Sequence, residues 1–241
     1  MESRMSEKQG VVLFDGDDTL WETQALYEKA KGKFFSLMET LGFDYESVKE
    51  RFALVDSANV TKYSFSKFRF ATSMVEVYDE FSQAHKVSAD PNIRQNIRNI
   101  GMSVFTEKAS LVFGAEEVLR KVRQKFRIFL FTAGDLEVQK KRIADSSLEK
   151  LFHRVIIVER KTDDEFRYII KKYKLNPKTT WMVGNSLRSD INPAIKVGFS
   201  CIWIRGQGWE YDQDKLPSSH FWQVNELVEI PPILLSHSYK E

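Results

Sequence analysis

The chain reads as an α/β protein: a parallel sheet with helices on both faces, carrying an inserted all-helical domain. The first indication is Val-Val-Leu-Phe at residues 11–14, a short, continuously apolar run of the kind found in strands buried on both faces. From Leu111 onward, helical and strand-like segments alternate at the rhythm of a parallel sheet. Between them lie roughly 85 residues with helical spacing alone, about the size of a small domain.

Bulk properties agree with a globular enzyme. The chain has 241 residues, 42% hydrophobic and 29% charged, enough for a core plus an accessory domain. Its 36 basic and 34 acidic residues are scattered rather than segregated, which gives no footing for nucleic acid. No apolar run approaches membrane-spanning length, and the polar opening MESRMSEKQG is unlike a secretory leader. The single cysteine, Cys201, excludes an intramolecular disulfide and lies in the apolar run CIWI. The expectation is a cytoplasmic protein with an inert core thiol and no membrane partner.

Strand one is residues 11–14. After Trp21 the spacing turns helical, with Leu26, Ala30, Phe34, Leu37 and Leu41 recurring up to Gly42 as a stop. Further helices are predicted at 46–55 and at 65–81, the latter with Phe65, Phe68, Ala71, Met74, Val75 and Tyr78 on one face. Asp90 caps another, with Pro91 in its first turn and Ile93, Ile97, Ile100 and Val104 along it. The aromatic residues Tyr63, Phe65, Phe68 and Phe70 are expected in the core of this insertion. Strands then follow at 128–131, 155–158, 180–183, 201–204 and 221–224, with helices at 114–125, 136–144, 164–173 and 190–197 between them. The predicted division is a Rossmann-like core at 1–21 and 108–241 and a helical domain at 22–107. Because the insertion leaves at the C-terminal end of strand one, a lid over a site is expected.

That strand end carries Asp15, Gly16, Asp17, Asp18 and Thr19. Turns use Asp and Gly freely, but open α/β sheets bind ligands at this end of their strands. A dense carboxylate cluster needs a cation or shared protons to be tolerated. Asp15 and Asp17 are two apart, so an extended chain sends both to one side. This suits Mg²⁺, with one carboxylate left for chemistry. Other strand ends supply further polar groups. Thr132, Ala133 and Gly134 combine a hydroxyl with the backbone N–H groups of a tight turn, a phosphate cradle. Lys161 follows VIIVER, and Gly184, Asn185, Ser186 and Asp190 follow the strand at 180–183.

In this order the motifs resemble those of haloacid dehalogenase-superfamily phosphohydrolases: Asp-x-Asp-x-Thr, then Thr, then Lys, then an acidic loop. The insertion resembles that superfamily's helical cap. The resemblance implies that Asp15 is a nucleophile forming an aspartyl-phosphate. It implies that Asp17 is the general acid and then the base that activates water. Asp15, the Asp17 backbone carbonyl and Asp190 would hold Mg²⁺, while Thr132, Ala133 and Lys161 would bind the phosphoryl group. Asp18, Thr19, Asn185 and Ser186 would support the loops.

The implied activity is Mg²⁺-dependent hydrolysis of a small phosphorylated metabolite. A phosphosugar mutase, a phosphonate hydrolase or a non-catalytic binding protein on the same core are the alternatives. Asp17 argues against a dehalogenase, which needs no second acid. Asn185 departs from the superfamily's frequent Asp and removes one negative charge from the metal site. Arg160 competes with Lys161 for the phosphate-binding role, which the strand end favours giving to Lys161. Lys29, Lys31 and Lys33 read as solvated. His85, His153, His220 and His237 lack metal-ligand spacing, and the loop 206–209 has no assigned purpose.

Overall fold

The computed structural model describes residues 10–64, 66–206 and 214–237. The chain forms two compact units: the described residues up to Glu22 with those from Ala109 onward, and Thr23–Lys108.

The first unit is built on a six-stranded parallel sheet. Its strands are β1 (Val11–Phe14), β4 (Arg127–Ala133), β5 (Arg154–Val158), β6 (Thr180–Gly184), β7 (Ser200–Ile204) and β8 (Trp222–Val224), in the order β5-β4-β1-β6-β7-β8. β1 is apolar throughout because it is fully buried between β4 and β6, with Phe14 opposite both Leu130 and Val183. From β4 the chain moves outward to β5 and then returns to the other side of β1 at β6. This reversal opens a crevice at the C-terminal ends of the central strands. The helices α5 (Ala115–Arg123), α6 (Leu136–Ser146), α7 (Asp163–Tyr173) and α8 (Asn192–Lys196) fall between the strands. Leu13, Phe131, Phe166 and Met182 share one core cluster, where Phe131 and Phe166 meet edge to face at 5.1 Å.

Some elements differ from the sequence expectations. A short antiparallel pair, β2 (Trp21–Glu22) with β3 (Ser110–Leu111), flanks the insertion, and a helix α9 (Ile230–Ser236) ends the described chain. Neither carries a pattern long enough to read. The predicted helix 190–197 is instead a π-helical turn, Leu187–Ile191, running into the short α8. The last strand begins at Trp222 rather than Phe221.

The second unit contains α1 (Gln24–Thr40), α2 (Tyr45–Tyr63), α3 (Arg69–Ala84) and α4 (Pro91–Thr106) around Phe34, Met38, Phe52, Phe70, Met74 and Ile97. Asp44 and Asp90 cap α2 and α4 by accepting backbone N–H groups. α2 continues well past the predicted end at 55. Two of its later inward positions are polar and so break the apolar period: Asp56 pairs with Arg69, and Asn59 donates to Ser73 at 3.2 Å and to Glu76 at 2.6 Å. Phe68 precedes α3 and is 58% exposed, so it does not join the aromatic core, whereas Phe70 does. Phe65 and residues 207–209 lie outside the described residues. Among the described residues, no helix is long and apolar enough to cross a membrane.

Candidate active site

Asp15 leaves the centre of the sheet with its N–H bonded to Val183 O at 2.9 Å, so it is fixed relative to both β1 and β6. The chain then curls. Gly16 O accepts from Leu20 N at 2.8 Å, and Asp18 N donates to Trp21 O at 2.7 Å. Asp18 adopts φ +55°, a left-handed conformation that Asp tolerates better than most residues. Glycine is required at Gly16, because a Cβ would overlap the Trp21 ring and lie 3.1 Å from Thr132 Oγ1.

Three charged side chains meet beneath this loop. Lys161 Nζ donates to Asp15 Oδ1 and, at 2.6 Å, to Asp190 Oδ1, and all three residues are buried. Lys161 is thus the cation that reaches both carboxylates. Asp190 sits on the π-helical turn, its Oδ2 accepting from Ser186 N at 3.0 Å. A Cβ at Gly184 would strike the Asp190 carboxylate, so glycine permits this close approach. Burial pushes the Asp15 carboxyl up to about 7; Lys161 pulls it down, while Asp190 and Asp17 push it further up. For Lys161, burial opposes the charge, yet the two carboxylates hold the ammonium above its ordinary value.

Asp17 has a different environment. Trp21 Nε1 donates to its Oδ1 at 2.6 Å, while Gln139 Nε2 (3.0 Å) and Arg142 Nη1 both donate to Oδ2. Gln139 also accepts from Thr132 Oγ1 at 3.1 Å and donates to Ala133 O at 3.2 Å. Thr19 Oγ1 donates to Asn185 Oδ1 at 3.3 Å, and the Asn185 carbonyl accepts from Trp203 Nε1 at 2.8 Å. Ser186 Oγ accepts from Ser189 N at 3.0 Å and steadies the turn that carries Asp190.

Among the described residues, no group of three or more His, Cys, Asp and Glu side chains forms a ready metal cage. The Asp17 carboxylate is turned to Arg142, and Asp15 and Asp190 meet at Lys161. The donor chemistry nevertheless fits a hard divalent cation. The groups are all oxygen, and Asp15 is held against ionisation by burial and neighbouring carboxylates, which added positive charge relieves.

A model of haloacid dehalogenase-like hydrolases matches residues 10–198, a span that contains Asp15, Asp17, Thr132, Lys161 and Asp190. The chain belongs to that family. N-acylneuraminate-9-phosphatase of Mus musculus is 22% identical over 236 residues, 93% of each chain. A haloacid dehalogenase-like hydrolase of Xanthomonas campestris shares the fold with a TM-score of 0.79, at 23% identity over 95% of this chain and 96% of that one. The HAD-hydrolase YfnB of Bacillus subtilis, in a structure bound to magnesium, has a TM-score of 0.67 at 19% identity, covering 95% of this chain and 99% of its own.

In this hydrolase, Asp15, Lys161 and Asp190 come together from positions far apart in sequence. Thr132 and Ala133 connect to Asp17 through Gln139. Gln139 and Arg142 themselves escaped the sequence reading. The available signal was their spacing of three, which places two polar side chains on one face of α6 just after a strand-end turn.

Proposed function

We propose that this hydrolase cleaves a small phosphomonoester through an aspartyl-phosphate on Asp15. The observation that carries the reading is the buried Asp15–Lys161–Asp190 group beside a second, separately held carboxylate, Asp17. Asp15 attacks phosphorus in line, and the bond from phosphorus to the ester oxygen breaks. Lys161 offsets the charge of the transferring group, and the Thr132 hydroxyl and the N–H groups of the turn after β4 bind its oxygens. Asp17 gives its proton to the departing oxygen. It then takes a proton from the water that attacks the phosphorus. The bond from phosphorus to the Asp15 oxygen breaks, inorganic phosphate leaves, and the Asp15 carboxylate and protonated Asp17 are restored.

The carboxylates of Asp15 and Asp190 and the backbone carbonyl of Asp17 would hold Mg²⁺. The ion would supply charge neutralisation to the phosphoryl oxygens. Asn185 contributes an amide where a further carboxylate would add charge. A small phosphorylated metabolite agrees with the phosphatase among the relatives, and a cytoplasmic setting agrees with the single buried cysteine.

p-Nitrophenyl phosphate turnover, measured with Mg²⁺, with EDTA and with Asp15→Asn, tests this reading. Release that needs the metal and disappears in the variant supports it. Release that survives Asp15→Asn overturns it. So does failure of the folded, Mg²⁺-loaded protein to hydrolyse any member of a broad phosphate-ester panel, an outcome that would point to a mutase or a binding protein.

A further inference from the structure

The side chains that hold Asp17 are placed unlike ordinary surface groups. Gln139 and Arg142 lie on the inner face of α6 and are both buried, whereas the Asp17 side chain is 29% exposed. Two donors converge on Asp17 Oδ2, and a third, Trp21 Nε1, meets Oδ1. A carboxylate gripped at both oxygens by three donors keeps one rotamer and one plane. Gln139 spends its remaining capacity on Thr132 Oγ1 and Ala133 O, at the start of the turn whose N–H groups are assigned to the phosphoryl oxygens. One amide therefore ties the acid–base group to the phosphate-binding turn. Asp135 caps α6 by accepting from Glu137 N at 3.1 Å and Val138 N at 3.3 Å, which anchors the helix start.

We propose that Gln139 and Arg142 are positioning residues of the reaction. They fix Asp17 by Oδ2, so that Oδ1 is the oxygen that passes a proton to the leaving group and later receives one from water. The inference rests on the phosphatase reading and adds to it the device that aims its acid. An ion pair serving only to fasten α6 to the loop would affect all substrates alike. A positioning pair affects most those esters whose leaving oxygen needs a proton.

The test compares kcat/KM, which reports the first phosphoryl transfer, for two esters of the wild-type protein. One is p-nitrophenyl phosphate, whose phenolate departs unaided. The other is an alkyl phosphate that the wild-type protein hydrolyses. Arg142→Ala and Gln139→Met are expected to lose on the order of 100-fold on the alkyl ester, within the usual range for general acid catalysis. That loss is in kcat/KM, which falls by a few-fold only on the aryl ester; kcat falls on both esters, because the water step also needs Asp17. Arg142→Lys, which keeps the charge and much of the volume, is expected to recover part of the alkyl activity and guards against a folding failure.

The Trp21 indole N–H resonance, assigned with Trp21→Phe, gives a readout apart from turnover. It is expected to shift in Arg142→Ala as the Asp17 carboxylate moves. Equal losses on both esters, no loss, or an unmoved indole resonance each overturn the inference while leaving the phosphatase reading intact, provided that Asp15→Asn is inactive. Wild-type protein inert toward every ester, or active Asp15→Asn, instead removes the phosphatase reading and this inference with it.

Discussion

The two halves of the site solve one problem, holding carboxylates at a strand end, by opposite means. On the Asp15 side, two buried carboxylates share one buried ammonium, and burial is the dominant influence on Asp15. On the Asp17 side, one partly exposed carboxylate is surrounded by three donors, two of them from α6. The first side is short of positive charge and suited to admit a metal and a phosphoryl group. The second is saturated with donors and suited to hold a proton-transfer group still. Two carboxylates two residues apart in one loop thus acquire different settings from different parts of the fold, as the proposed nucleophile and acid–base roles require.

The sharpest way to break this contrast is to remove Lys161. Lys161→Met leaves Asp15 and Asp190 facing each other without a cation. Breaking a buried pair in this way costs about 3–5 kcal/mol of stability. Activity is expected to fall by roughly 1,000-fold as the phosphoryl group loses its counter-charge. Arg142→Ala is expected to cost less stability, because Asp17 reaches solvent. Urea unfolding of the two variants side by side checks this order; a larger loss for Arg142→Ala would invert the contrast.

A smaller effect comes from pH. In metal-free protein the folded Asp15 carboxyl titrates at about 7 against an ordinary 3.8. Between those values the folded state binds more protons than the unfolded chain, so stability falls as pH rises through that window. Thermal unfolding in EDTA is expected to show a lower midpoint at pH 8 than at pH 5. The part of this slope due to Asp15 is expected to disappear in Asp15→Asn, and Mg²⁺ to protect more at the higher pH. An unchanged slope in the variant would assign the pH dependence to other groups.

The smallest effect concerns Asn185. Asn185→Asp returns one negative charge beside Asp190 and is expected to tighten Mg²⁺ binding by about 3- to 10-fold, as added ligand charge does at such sites. Titration calorimetry measures it. Weaker binding would mean that the Thr19–Asn185 hydrogen bond matters more to the loop than the added charge.

The same division explains what was legible in the sequence. β1 and its carboxylates announced themselves because a strand buried on both faces is apolar throughout, and its abrupt end in Asp15-Gly-Asp17 contrasts with it. Lys161 and Asp190 were found because each follows a strand that is itself apolar enough to see. Gln139 and Arg142 were not, because polar residues on a helix usually face water, and only the fold turns this face of α6 toward Asp17. The extent of α2 was obscured for a related reason. Asp56 and Asn59 occupy inward positions where they meet Arg69 and Ser73, so the apolar pattern ended before the helix did. Sequence periodicity reports apolar burial well and buried polar networks poorly.

The measurement that tests the central claim most directly is a trapping experiment on Asp17→Asn. p-Nitrophenolate leaves without a proton, so this variant still transfers the phosphoryl group to Asp15 but lacks the base that activates water. Mass spectrometry of the Mg²⁺-loaded variant after brief exposure to p-nitrophenyl phosphate is expected to find one phosphoryl group on the peptide containing Asp15. That adduct should be absent when Asp15 is also replaced by Asn. Nitrophenolate release at the wild-type rate, with no adduct on Asp15, would contradict the division of labour between the two carboxylates.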